Sequence, residues 1–185
     1  MQPVTDVMQL FRRQRAVRDF SDRPVEEETL RQILQAAIHA PSGSNTQPWK
    51  FIVVRDQAVK DALDAENRAA QGENAPTEPG FMSKAPVIIV PCVRVPEQTG
   101  RAGFQTGASI YPACQNLMLA ARALGLGSVL TTRYRVRVAQ VHAILGIPPE
   151  FESAAMIPLG WPDKSYGPNH RVPLDEAICF DHWTA

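Results

Sequence analysis

The apolar positions of this chain switch between helical and strand periods, and the switches mark out its elements. From about Thr5 to Gln14, Val7, Met8, Leu10 and Phe11 share one helical stripe, and Thr5 or Asp6 stands where an N-cap belongs. A basic, irregular stretch, Arg15-Ala16-Val17-Arg18-Asp19-Phe20, then runs into a turn at Ser21-Asp22-Arg23-Pro24. The clearest helix follows. Pro24 leads in, Glu26, Glu27 and Glu28 load the first turn where the helix dipole favours anions, and Leu30, Ile33, Leu34, Ala37 and Ile38 form the apolar face. Pro41 stops it. The polar loop Pro41-Ser42-Gly43-Ser44-Asn45-Thr46-Gln47-Pro48 precedes an apolar, β-branched strand from Trp49 to Arg55.

A third helix is expected from Gln57 to about Ala70. Gln71 to Gly80 is polar, with Gly and Pro, and residues 71–84 read as a mobile loop or lid. Ala85 to Val93 predicts a buried central strand. Gly103 to Leu124 predicts a long helix that is apolar on several faces (Ile110, Cys114, Leu117, Met118, Ala121, Leu124), hence buried in a core or at a dimer interface. Pro112 should kink this helix or mark its true start, and Gly125 should cap it. A short strand from Ser128 to Thr132, a helix from Val138 to Leu145 capped by Gly146, and a strand from Ala154 to Trp161 complete the pattern. The tail, Val172 to Trp183, is apolar enough to be tied down. With no internal repeat or linker, residues 1–185 read as a single α+β domain.

Composition narrows the function. A chain of 185 residues buries roughly 70% of its unfolded surface as one domain. Lys+Arg and Asp+Glu both number 19, so no strongly basic nucleic-acid binder or polybasic membrane adhesin is expected. No apolar run reaches the roughly 18 residues of a membrane span, and Met1 to Arg13 lacks a signal core. Cys92, Cys114 and Cys179 are odd in number and far apart, which excludes a disulfide framework and fits a reduced cytoplasm. His39, His142, His170 and His182 have no metal-ligand spacing, so no metal is expected and surface or helix roles are.

The chemistry-bearing motifs are few. Gly125-Leu126-Gly127-Ser128-Val129-Leu130 begins like a dinucleotide fingerprint, but it follows a helix and enters a strand, the reverse of the required order. Four arginines lie within seven residues. Arg12 and Arg13 complement a helix C-terminus, whereas Arg15 and Arg18, beyond it, are either solvated or a guanidinium fork for a phosphate. The Pro41–Pro48 loop is either an ordinary connection or a pinned frame of amide and hydroxyl groups for the polar edge of a heterocycle.

Taken together, Arg15 to Phe20, the helix after it and Ala40-Pro41-Ser42-Gly43-Ser44-Asn45-Thr46-Gln47-Pro48-Trp49-Lys50-Phe51 resemble the N-terminal signature of the FMN-dependent nitroreductase family. The resemblance continues through Gly125 to Thr132, Leu145 to Pro148, Ile157 to Pro162 and Arg171 to Leu174, in order and over nearly the whole chain. It implies a nitroreductase-like fold: a central, mostly antiparallel sheet flanked by helices, with the long helix at a homodimer interface. It also implies that Arg15, Ala16, Arg18 and Arg171 surround the FMN phosphate and ribityl chain. Pro41, Ser42, Gly43 and Asn45 would be laid against the ring by the partner subunit. Leu130, Thr131 and Thr132 would lie under the ring, with a backbone N–H towards flavin N5. No side chain is then needed as acid, base or nucleophile, because flavin N5 is the reactive centre: NADH or NADPH delivers a hydride, and a nitroaromatic, quinone or similar small-molecule acceptor takes it on in ping-pong fashion. The alternatives are other flavin chemistry on this fold, reductive dehalogenation or flavin fragmentation, and a non-catalytic flavin-binding dimer. The chain departs from the family pattern at Gln14, often Arg, at Ala16, often Ser, and at Arg133, near a usual Gly.

Overall fold

The computed structural model describes residues 2–3, 6–72, 77–97 and 103–183. In chain order its helices are α1 (Val7–Arg13), α2 (Glu27–Ile38), α3 (Gln57–Ala69), α4 (Phe81–Lys84), α5 (Phe104–Ala123) and α6 (Val138–Leu145). The strands are β1 (Trp49–Val54), β2 (Val87–Arg94), β3 (Gly127–Ser128), β4 (Phe151–Ser153) and β5 (Ile157–Gly160).

β2 organises the core. Val87, Ile89 and Val93 alternate with Ile88, Val90 and Cys92, and all are at most 2% exposed. The first set packs on Leu30, Ile33 and Ala37 of α2 and on Ile110, Cys114, Leu117 and Ala121 of α5. The second packs on Leu63 of α3, Met82 of α4, Val141 of α6 and Tyr134. A strand covered on both faces can be apolar at successive positions, which is why Val87-Ile88-Ile89-Val90 reads without alternation. Burial pushes the thiols of Cys92 and Cys114 up to about 12, so both are inert core side chains.

All the strand pairs are antiparallel, in the order β1-β2-β5-β3, with β4 also on β2. The single strand expected from Ala154 to Trp161 is two. β5 pairs with Val87 to Ile89 and β4 with Cys92 to Arg94, so Ala154, Ala155 and Met156 oppose only Val90 and Pro91. The extra residue forms a bulge beside Pro91, which has no N–H to offer the ladder. β3 is likewise shorter than the expected Ser128–Thr132. The Val129 N–H reaches the Pro158 carbonyl at 3.3 Å, but Pro158 cannot return the bond; regular pairing lapses until Thr131 and Met156 exchange bonds of 2.9 and 3.0 Å.

The helices follow the expected boundaries closely. Asp6 caps α1 through its carboxylate and the Gln9 N–H, 2.8 Å; Thr5, the other candidate, lies outside the described residues. α5 runs through Pro112, which therefore does not mark its start. It ends at Gly125 (φ 91°), where the Leu126 and Gly125 N–H groups donate to the carbonyls of Ala121 and Arg122, a Schellman closure.

Two expectations fail. The polar stretch up to residue 84 is not free throughout: the Asp64 carboxylate accepts the Gly80 N–H at 2.8 Å, and Met82 is fully buried. Residues 73–76 of that stretch lie outside the described residues. The tail is not tied down within the chain. Leu174, Phe180 and Trp183 are 70%, 80% and 90% exposed, and the stripe of α1 is similarly bare, with Val7, Met8 and Phe11 at least half exposed. Among the described residues these apolar side chains remain largely uncovered.

His142 is not an inert helix residue. Its Nε2 accepts the Ser153 N–H at 3.2 Å and lies 3.0 Å from the Ser153 hydroxyl, which in turn accepts from the buried Tyr134 hydroxyl at 2.9 Å. Burial is the main cause that lowers the His142 pKa; the nearby Glu152 raises it and Arg135 lowers it.

Two predictions come from this packing. A Cβ at Gly127 would stand 2.6 Å from Cγ1 of the buried Val17, so Gly127→Ala should cost about 1–3 kcal/mol in urea unfolding. Wild-type stability in that variant would contradict the packing. Burial disfavours the protonated form of His142 in the folded chain, so the unfolded chain takes up more proton as the pH falls. Stability should therefore fall as pH drops below about 6.5 and level off above it. Unfolding curves at a series of pH values should show His142→Gln losing part of this dependence; identical slopes would contradict it.

Candidate functional site

The site begins where the N-terminal segment meets the sheet edge. The Val17 N–H donates to the Ser128 carbonyl at 3.0 Å, and Ala16 bridges Ser128 in parallel, so residues 15–18 run as an extra strand along β3. Val17 points inward, 1% exposed, against Phe20 and Ala85. Arg15 and Arg18 thereby flank a cleft of about 300 Å³ whose walls also include Gln14, Ala16, Ser128, Leu130, Asn169 and Arg171. Gln115 and Met118 of α5 close it from below, and Phe11 and Val129 complete the lining.

A strap, residues 163–171, holds the cationic side. The Asn169 side chain donates to the carbonyls of Phe11 and Gln14 at 2.9 and 3.0 Å, fastening the strap to the end of α1. Asp19 ties it lower down, accepting from the Tyr166 hydroxyl at 2.6 Å and pairing with Lys164 at 2.7 Å. Those two hydrogen bonds hold the Asp19 carboxyl below its usual range, so Asp19 is spent on the strap and leaves the cleft arginines uncompensated. The Arg15 guanidinium lies 5.6 Å from the centre of the Tyr166 ring and donates, at 3.4 Å, to the Gly167 and Pro168 carbonyls.

The chemistry of the cleft follows from its inventory. Arg15, Arg18 and Arg171 are among its lining residues and, among the described residues, no Asp or Glu is; the Arg18 guanidinium lies 5.6 Å from the centre of the Phe81 ring of α4. Two atoms of the lining residues, Arg15 Nε and Ser128 Oγ, are buried and have no hydrogen-bond partner. A buried donor left unpaired is costly, so the arrangement is built for an acceptor-rich anion such as a phosphate monoester. A larger, mostly apolar cavity of about 610 Å³ at Val93, Tyr111 and Pro112 has no such orphaned atom in its lining.

Arg15, Ala16, Arg18, Leu130 and Arg171 therefore converge on one cleft, as the sequence motifs suggest. Thr131 and Thr132 continue the strand edge from Leu130. The Thr131 N–H is taken by the Met156 carbonyl, and its hydroxyl lies 3.3 Å from the buried Asn67. Among the described residues the N–H groups of Leu130 and Thr132 have no protein partner, which narrows the open backbone donors of that stretch to these two.

Pro41, Ser42, Gly43 and Asn45 are not part of this cleft. Their loop is fixed by the Gly43 N–H to Ser109 Oγ bond, 3.2 Å, on the N-terminal half of α5. Ser109 is roughly 13 Å along the helix from Met118 at the cleft floor. Ser44, Asn45 and Gln47 all have positive φ, 49°, 53° and 47°, a strained course that the Ser42 hydroxyl supports by accepting the Gln47 N–H at 3.0 Å. Sequence reasoning missed Ser128 and Asn169 as site residues. Their roles depend on a parallel pairing and a strap that no local pattern announces.

The family model described as the nitroreductase family matches residues 11–161. An NADH dehydrogenase of Thermus thermophilus is 32% identical over 95% of this chain and 96% of its own length. A 5,6-dimethylbenzimidazole synthase of Rhodospirillum rubrum is 33% identical over 91% of this chain and 86% of its own. A nitroreductase from Desulfovibrio desulfuricans, solved in complex with FMN, is 30% identical with a TM-score of 0.80, covering 98% of this chain and 99% of that one. The match spans the arginine segment, the polar loop, the sheet and the long helix together, and the chain belongs to the nitroreductase family.

Proposed function

We propose that the protein is an FMN-dependent NAD(P)H oxidoreductase that acts as a homodimer. The observation that carries this reading is the cleft with three arginines, no carboxylate and two orphaned donors, Arg15 Nε and Ser128 Oγ. FMN, when bound, would supply hydride-transfer chemistry between NADH or NADPH and a nitroaromatic, quinone or similar acceptor, for which ping-pong kinetics are expected.

The chain's own residues bind and orient. Arg15, Arg18 and Arg171 hold the phosphate as charge-assisted donors, and the strap fixes Arg15 in advance. Ala16, without a hydroxyl, contributes backbone to the cleft wall. Leu130 and Thr132 offer open N–H groups along the strand edge, while Thr131 keeps that edge rigid through Met156. Pro41, Ser42, Gly43 and Asn45 serve the cleft of the partner subunit, presented on a strained loop that Ser109 holds. The exposed apolar side chains of α1 and the tail, with Phe104 and Tyr111 of α5, are the surface that a second copy covers.

The likeness to a 5,6-dimethylbenzimidazole synthase is equally compatible with a second reading, flavin chemistry other than acceptor reduction on the same fold. Kinetics separate the two. The purified protein should release FMN on denaturation. Anaerobic NADH or NADPH should bleach its flavin absorbance, and a nitroaromatic or quinone should restore it rapidly. Flavin that stays oxidised with both donors would reject the oxidoreductase reading, and bleaching without rapid reoxidation would favour the second.

The arginines should sort by place. Arg18→Ala or Arg171→Ala should weaken FMN binding about 10- to 100-fold with little change in fold stability, since each charge-assisted bond is worth roughly 1.5–3 kcal/mol. Arg12→Ala, on the solvent side of α1, should bind FMN like wild type. Equal losses for Arg12 and Arg18 in a fluorescence titration would contradict the assignment.

A further inference from the structure

We propose that the Ser128 hydroxyl is a phosphate ligand of this site, donating to the terminal phosphate of the bound flavin nucleotide. The proposal rests on the FMN reading above and deepens it.

Ser128 is 1% exposed, yet its Oγ has no hydrogen-bond partner. Its backbone is held from both sides: it pairs with Leu159 of β5, and its carbonyl accepts the Val17 N–H. The side chain therefore cannot leave the cleft by a shift of the strand. A buried hydroxyl without a partner gains nothing for the fold over a methyl group and leaves a polar atom unsatisfied. It lines the same cleft as Arg15, Arg18 and Arg171.

The second orphan identifies the group it meets. Arg15 Nε can only donate, and like Ser128 Oγ it belongs to a residue that lines a cleft already rich in donors. A phosphate, all acceptor and dianionic, satisfies both at once. A ribityl hydroxyl, which also brings a proton, fits this excess of donors less well. Ala16, directly across the parallel bridge, has no hydroxyl of its own, so Ser128 is the hydroxyl-bearing residue in the lining of this cleft.

The full-length chain, stripped of flavin, is titrated with FMN and with riboflavin, which differ only in the phosphate. Wild type should bind FMN more tightly than riboflavin. Ser128→Ala should weaken FMN by about 10- to 100-fold and leave riboflavin affinity unchanged. Its flavin-free melting temperature should equal or exceed that of wild type, because an unsatisfied hydroxyl is removed. An equal loss for both flavins would place the hydroxyl on the ribityl chain or ring and overturn the proposal. So would unchanged FMN affinity, or a lower flavin-free melting temperature, which would reveal a structural role. A wild-type chain that binds neither flavin would instead defeat the FMN reading itself.

Discussion

The hydrogen bond from the Val17 N–H to the Ser128 carbonyl is the contact on which the site depends. It lays the chain at Ala16 and Val17 along the edge of β3, with Val17 buried and Arg15 and Arg18, to either side of it, among the residues that line the cleft. Gly127 makes the approach feasible, since any Cβ there would meet Val17 on all three of its side-chain carbons. The sheet edge itself is held by β5 and, through that strand, by β2, the buried centre of the molecule. Positive charge thus stands on a rigid element without neutralising partners. Its repulsion is tolerated because the core, and not the cleft, stabilises the fold.

Much of this could be read from the residues. Helices with caps and stops announced themselves: the Glu-rich start of α2, the Gly125 closure of α5 and the Gly146 closure of α6 sit where their local chemistry puts them. The central strand was legible because it is apolar at every position. What could not be read were the interruptions. The bulge opposite Pro91 and the lapse at Pro158 arise because a proline on one strand denies a bond to another far away in sequence. A pattern within either strand carries no trace of that.

The candidate site divides in the same way. Arg15, Arg18 and Arg171 were recognisable as a set only through a resemblance to a family, because Arg171 is distant in sequence and exposed. Ser128 lies inside the Gly125–Thr132 segment that resembles the family, but nothing there singles out its side chain, and Asn169 is a polar residue in a loop with no local signal. The tail misled for a physical reason. Its Leu174, Ile178, Phe180 and Trp183 have the composition of a packed segment, but among the described residues of the single chain they remain exposed. The polar loop with Pro41 and Asn45 has the same character, being strained, well supported and remote from its own cleft.

These features lead to the proposal that no single chain owns a whole site: the arginine cleft would belong to one copy and the polar loop to the other. FMN must then stabilise the dimer, and separation of the chains must release it. Size-exclusion chromatography with in-line flavin absorbance, over a dilution series, tests this directly. The account predicts that flavin travels with a dimer-sized peak and is lost in step with dissociation. A monomer-sized peak that retains stoichiometric FMN would contradict it.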